Sequence, residues 1–285
     1  MGGALELGAG YVSEVTDLFG GSRDDLDEWD PEYIRLTLPL LRPLFRAYFR
    51  SDVRGLEHIP AEGPVLLVGN HSGGLLIADT FVFATEFYER FGPRRRFHQL
   101  AHDLAARFPG LSGLRRYGTV PASHRNAREA FRHRAAVLVY PGGDYETFRP
   151  SWQSDQIQFA GRSGFVRLAL DQGVPIIPVV SIGGQETALF VTRGQAVART
   201  LKLDRLLRLN VVPVSVGPPT GVNILDLPGR LPLPSKVTIE VLPQIDPAER
   251  FGPEPDADLV YEEVTGEMQE ALSALSEERT APVVG

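Results

Sequence analysis

Val65-Leu-Leu-Val-Gly-Asn-His71-Ser-Gly-Gly-Leu-Leu-Ile-Ala-Asp79 is the stretch that decides the fold. Its apolar run, Pro64 to Val68, is short and bounded by turn residues, the pattern of a strand buried on both faces. Gly69-Asn70 ends the run. His71 and two glycines follow, and then an apolar segment reads as helix as far as Gly92. A strand–loop–helix unit delivers its histidine to the sheet edge, where α/β folds hold their chemistry. Imidazole can accept a proton from a hydroxyl near neutral pH. Gly73 and Gly74 leave room for a substrate to approach the backbone. The competing reading is a core histidine beside a tight turn.

Two further strands end the same way. Ala135–Tyr140 runs into Pro141-Gly142-Gly143-Asp144-Tyr145-Glu146-Thr-Phe-Arg149. A glycine turn there can aim backbone N–H groups at an anion or a developing oxyanion. Glu146 and Arg149 can then orient a base or bind a phosphate or carboxylate; the competing reading is a tight turn with a surface ion pair. Val174-Pro-Ile-Ile-Pro-Val-Val-Ser181 leads into Gly183-Gly184-Gln-Glu186. Its prolines remove ladder donors and point to a sheet edge or a bulge. Repetition of this unit predicts an α/β fold, a single domain with a mixed, mostly parallel sheet flanked by helices, its three glycine-bearing exits converging on one edge.

The rest of the chain reads as follows. Residues 1–30 form a loosely held acidic arm. Residues 31–52 form an amphipathic helical segment in which Arg35, Arg42, Arg46 and Arg50 recur on one stripe. Such a stripe suits a helix lying on an anionic membrane, with Pro39 and Pro43 breaking or kinking it; the alternative is a packed helix with a solvated arginine face. Residues 53–280 form the main domain. Within it, Phe97–Phe108 has helical spacing, Tyr117–Pro121 is extended, Ser123 caps a helix, and 211–216 and 236–242 are strands. Residues 217–235 read as a Pro- and Gly-rich loop, and 201–209 as a short basic amphipathic segment. A final amphipathic helix spans 256–279.

Composition narrows the function. At 43% hydrophobic over 285 residues the chain can bury a large core. A net charge of −7 argues against nucleic acid as a partner. No cysteine is present, which removes disulfides, thiolate nucleophiles and cysteine-held metals. His98, His102, His124 and His133 lack metal-ligand spacing, so no metal is expected. The N-terminus lacks a signal-peptide pattern and no apolar run is long enough to span a bilayer; a peripheral place on the cytoplasmic side of a membrane is expected. There is no phosphate-binding lysine loop, dinucleotide fingerprint or nucleophile elbow.

Four blocks in order, Asn70-His71, Tyr117-Gly-Thr-Val-Pro121, Tyr140-Pro141-Gly142-Gly143 with Glu146, and Val174-Pro-Ile-Ile-Pro178, resemble those of the glycerolipid (lysophospholipid) acyltransferase superfamily. The Pro-Gly-Gly-x-x-Glu block is closer to the diacylglycerol-acyltransferase-type and phytyl-ester-synthase-like branch. The resemblance covers roughly residues 53 to 245. It implies that His71 is the general base for an acceptor hydroxyl, which attacks an acyl thioester carried by coenzyme A or acyl carrier protein, without metal or covalent acyl-enzyme. Glycerolipid or phospholipid synthesis at a membrane surface follows from it. Asn70, Gly73, Gly74, Gly142, Gly143 and Arg149 are the expected substrate contacts. The family acid five residues after the histidine is replaced here by Leu76. A glycine loop at residues 72–74 would carry Asp79 back to that place, within direct hydrogen-bond reach of the His71 ring, with Glu146 as the competing partner. The alternative functions are a thioesterase or lipid hydrolase, with Ser72 as an imaginable nucleophile, and a non-catalytic lipid-binding protein.

Overall fold

The computed structural model describes residues 25–74, 77–101, 112–200, 211–226, 230–281 and 283. In chain order the strands are β1 (Asp52–Arg54), β2 (Val65–Gly69), β3 (Phe97–Ala101), β4 (Thr119–Pro121), β5 (Ala136–Val139), β6 (Ile176–Ile182), β7 (Leu189–Thr192), β8 (Val214–Gly217), β9 (Gly221–Ile224) and β10 (Thr238–Val241). The helices are α1 (Pro31–Tyr48), α2 (Ala78–Phe91), α3 (Ser112–Arg116), α4 (His124–Arg132), α5 (Gly143–Thr147), α6 (Gly164–Gln172), α7 (Gln195–Thr200), α8 (Pro247–Phe251) and α9 (Ala257–Glu277).

The main sheet has the order β1-β10-β6-β2-β5-β3-β4. From β6 to β4 every pairing is parallel, and β10 runs antiparallel to β6. The central strands bury both faces, and successive residues serve opposite layers, as the period of two requires. Val65, Leu67, Leu138 and Ile177 pack under α1 and α2. Leu66, Val68, Val137 and Val180 pack under α4, α6 and α9. Strands β7, β8 and β9 form a separate antiparallel sheet. The mostly parallel α/β architecture is the one expected.

Several elements differ from expectation. Phe97–Ala101 is not helical: it is β3, paired with β4 and β5, and Phe97, His98 and Gln99 are all buried. Residues buried in succession need a two-sided sheet, so tertiary pairing overrides the helical spacing; residues 102–111 lie outside the described ones. The Pro-bearing β6 is interior rather than at an edge. Pro178 accepts from the Leu242 N–H, so its missing donor faces the stretch between Val241 and the isolated Ile176–Ile245 bridge, where the β10 ladder is already interrupted. The segment 217–235 contains β9, which pairs with β8. The basic segment 201–209 lies outside the described residues.

Leu26 and Trp29, at the end of the expected arm, pack onto the domain. Residues 1–24 lie outside the described ones, but Leu26 is buried and the Trp29 indole donates to the Tyr88 hydroxyl at 3.0 Å. Helix α1 runs unbroken through Pro39 and Pro43, both exposed, where water can solvate the carbonyls left without a donor. Asp30 caps it by accepting from the Glu32 and Tyr33 N–H groups, and Pro31 occupies its first turn. The arginine stripe meets acids after all. Arg35 pairs with Glu32, and Arg42 makes a bidentate pair with Glu86 of α2. Among the described residues no helix is long and apolar enough to cross a membrane.

His98 is fully buried in β3, with Nδ1 at 3.3 Å from the Gly118 carbonyl. Burial pushes its imidazole down from 6.5 to about 4. The unfolded chain therefore binds a proton that the folded chain refuses between those values. Stability is complete above pH 6.5 and is lost as pH falls toward 4, by about 3 kcal/mol from this group. A His98→Gln variant is expected to lose less unfolding free energy between pH 7 and pH 4 by that amount in denaturant titrations. An equal loss in both proteins would contradict the assignment.

Candidate active site

β2 lies between β5 and β6, parallel to both, so their three exits meet. Gly73 and Gly74 take φ of +94° and +72°, a region that side-chain-bearing residues avoid, and helix α2 starts only at Ala78. Ser72, Gly73 and Gly74 are thus spent outside the helix, and Asp79 comes to the Nδ1 edge of the imidazole. Asp79 Oδ2 lies 3.8 Å from His71 Nδ1, longer than the direct hydrogen bond expected. His71 Nδ1 is buried and has no hydrogen-bond partner. The His71 ring stacks on Tyr140, with centroids 4.2 Å apart and planes tilted by 21°.

The carboxylate of Asp79 is itself held. Oδ2 accepts from the Ser72 N–H at 3.1 Å, the Ser72 hydroxyl at 3.2 Å and the Ser181 hydroxyl at 3.4 Å. Oδ1 accepts from the Thr80 N–H at 2.7 Å, and the Thr80 hydroxyl donates to the Tyr140 hydroxyl at 2.8 Å. Ser72 is thus a buried donor to Asp79. Gly184 makes this fit possible: a Cβ there would lie 2.2 Å from Ser72 Oγ.

Glu146 does not touch the His71 ring. Its Oε2 accepts the His71 backbone N–H at 2.9 Å, and its Oε1 accepts the Gln158 N–H at 3.0 Å. It is fully buried, and burial pushes its carboxyl above the usual range, against the opposing pull of Arg149 and the two N–H donors. Gly142 packs on it, since a Cβ at that position would sit 2.4 Å from Glu146 Oε2.

Arg149, Asn70, Gly73, Gly74 and Gly143, all expected substrate contacts, make hydrogen bonds within the protein. Arg149 is 1% exposed and donates to the carbonyls of His71 (2.6 Å), Glu146 (3.1 Å), Gln153 (2.9 Å) and Ser154 (3.1 Å). Asn70 bonds in both directions to the Ser181 backbone, prolonging the β2–β6 ladder through a side chain. The N–H groups of Gly73, Gly74 and Gly143 go to Gln185 Oε1, Thr147 O and Tyr140 O. Gly74 and Gly142 also allow close packing, against Asp226 and Glu146 respectively. Sequence reasoning also missed Ser181, Tyr140, and the buried pair Arg230–Asp226, which is 2.8 Å apart and whose guanidinium donates to Gly73 O at 3.1 Å. Tyr140 stood inside a quoted block; nothing in the sequence marked Arg230 or Asp226.

Removing Arg149 leaves buried carbonyls unsatisfied, each worth about 1–3 kcal/mol. Arg149→Met is expected to lower the unfolding free energy by about 3 kcal/mol or more in chemical denaturation. A variant of parental stability with a raised KM for anionic acceptors would return Arg149 to substrate binding.

Residues 50–182 match the family model described as Acyltransferase. An uncharacterized Mycobacterium tuberculosis protein, Rv0502, is 28% identical over 246 residues, and the match covers 86% of this chain and 66% of that protein. Phytyl ester synthase 2, chloroplastic, of Arabidopsis thaliana is 34% identical over 145 residues, covering 46% of this chain and 19% of the synthase. The chain thus spans just under two thirds of its mycobacterial relative and about a fifth of the plant one. The crystal structure of the 1-acyl-sn-glycerophosphate acyltransferase PlsC from Thermotoga maritima superposes with a TM-score of 0.54 at 18% identity, over 87% of this chain and 82% of that one, and so shares the fold. Residues 50–182, which contain all four sequence blocks, are thus similar to the Acyltransferase family.

Proposed function

We propose that this protein transfers a fatty acyl group from an acyl thioester to the hydroxyl of a lipid, with His71 as general base. The observation that carries the proposal is the unpartnered His71 Nδ1 facing the Asp79 carboxylate at 3.8 Å. Catalytic hydrogen bonds are often long before substrate binds, and a shift of under 1 Å closes this one. Nδ1–H would then donate to Asp79, leaving Nε2 as the base. His71 Nε2 takes the acceptor's hydroxyl proton as the oxygen bonds to the thioester carbonyl carbon. The tetrahedral adduct collapses, the C–S bond breaks, and the imidazolium returns the proton to the leaving thiolate, giving an ester and a free thiol.

The Tyr140 ring beneath His71 offers its π-face to the transient imidazolium. An apolar cavity of about 230 Å³, lined by Leu41, Phe45, Phe81, Ala84, Leu114 and Tyr117, offers room for hydrocarbon beside the first turns of α2. The acceptor we favour is a neutral hydroxyl lipid. Arg149, the arginine expected to meet a phosphate, is buried among carbonyls, and the plant relative is named for ester synthesis on an alcohol. Contact with an anionic membrane through α1 belongs to the same reading: Leu36, Leu40 and Leu44 of that helix are 66%, 70% and 55% exposed.

The test is purified protein with radiolabelled acyl-CoA or acyl carrier protein and a panel of phytol, diacylglycerol, lysophosphatidate and no acceptor. Labelled ester of a neutral alcohol is expected, with His71→Ala lowering kcat about 10²–10⁴-fold at unchanged melting temperature. Free fatty acid formed equally with and without acceptor would assign a hydrolase. His71→Ala activity within threefold of the parent would remove the base.

A further inference from the structure

The β7–β9 sheet has two unlike faces. Phe190 and Ser215, paired across β7 and β8, are fully buried. Phe190 lies against Gly74, and Ser215 donates to Asp226, so this inner face covers the glycine loop beside His71. On the outer face Leu189 pairs with Val216 and Val216 with Val222, while Val214 pairs with Ile224. Leu189, Val222 and Ile224 are 52%, 66% and 60% exposed. An antiparallel sheet with one face on a core normally turns polar residues to water on the other. Here the inner face is mixed, with Phe190, Ser215 and Asn223, and the outer face is the apolar one; a contiguous exposed apolar patch marks a contact site.

This face continues into α1. The Tyr48 hydroxyl donates to Pro232 O at 2.6 Å, and Leu231 N donates to Pro218 O at 2.8 Å at the β8–β9 turn. Leu231 between them is 62% exposed. The exposed side chains Leu36, Leu40, Leu44 and Tyr48, four residues apart, therefore run through Leu231 to the hairpin as one band. Arg35, Arg46 and Arg50 are exposed along it, and the single exposed acid within α1, Glu32, is paired with Arg35. The local charge is opposite to the net −7 of the chain. A second copy would bring a like-charged band to a two-fold interface, whereas anionic headgroups complement it.

We propose that the outer face of the β7–β9 sheet, led by Val222 and Ile224, inserts into the same anionic bilayer surface as α1. The proposal rests on the reading of α1 as membrane-facing. Arg230, locked to Asp226 behind the hairpin, bonds the carbonyl of Gly73, so docking sets the loop beside His71 against the leaflet that holds the acceptor.

The absence of cysteine allows single reporters. Ile224→Cys, Leu40→Cys and Leu259→Cys, the last on α9 across the main sheet, are each labelled with an environment-sensitive dye. They are mixed with phosphatidylcholine vesicles with and without phosphatidylglycerol. A blue shift at 224 and 40 with the anionic vesicles, and none at 259, is expected. A Val222→Ser/Ile224→Ser variant with the parental melting temperature is expected to bind about tenfold more weakly. A shift at 40 alone overturns the hairpin's role and leaves the reading of α1 intact; a shift at neither overturns both. A shift at 224 that grows with protein concentration in the absence of vesicles assigns the face to a second copy and overturns the proposal.

Discussion

The hydrogen bond from the His71 N–H to the buried Glu146 carboxylate is the constraint on which the site depends. It ties the exit of β2 to the exit of β5 at the residue that carries the imidazole. Arg149 completes the grip by bonding the His71 carbonyl, so one segment, the turn after β5, holds both backbone polar groups of that residue. Glu146 and Arg149 are buried without a direct carboxylate–guanidinium contact among the hydrogen bonds they make; each is satisfied by backbone groups. Buried charges are tolerated only when their hydrogen bonds are complete, and the loss of one partner leaves an expensive orphan. The grip is therefore stiff. The imidazole itself is left with one unpartnered nitrogen, an aromatic floor and a carboxylate just beyond bonding distance.

The β6 side supplies the other half. Asn70 reproduces a rung of the ladder with its side-chain amide, and Ser181 of the same strand also donates to Asp79. Gly184 and Gln185 close on Ser72 and Gly73. The loop after β2 is thus bounded by β5 on one side and β6 on the other, and the Arg230–Asp226 pair caps it under the small sheet. Glycines at these exits answer to crowding: a Cβ at Gly74 would lie 2.1 Å from Asp226 Oδ2.

The parallel sheet and its converging exits were legible because apolar runs ending in glycine are a local signal. The β3 strand was not, since its burial comes from β4 and β5 and its spacing mimics a helix. His71 and Asp79 were visible as residue types at a strand exit; their separation was visible only through the conformational freedom of Gly73 and Gly74. The hydrogen bonds that Glu146, Arg149 and Asn70 make within the protein were not legible, because sequence shows that a charge or amide lies near a site and not whether backbone groups have taken its hydrogen bonds. The acid that makes the bidentate pair with Arg42, Glu86, sits on another helix, and no local pattern reveals it.

In the proposed mechanism Asp79 acts on the His71 ring, while Glu146 holds the backbone of that residue. The most direct test compares kcat for acyl transfer in Asp79→Asn and in the parent, with the melting temperature measured in parallel. A fall of about 10²-fold or more in kcat at near-parental melting temperature is the predicted result, because the ring would lose the group that orients it and stabilises its protonated form. Parental kcat in a folded Asp79→Asn protein would show that the His71 ring works without this carboxylate.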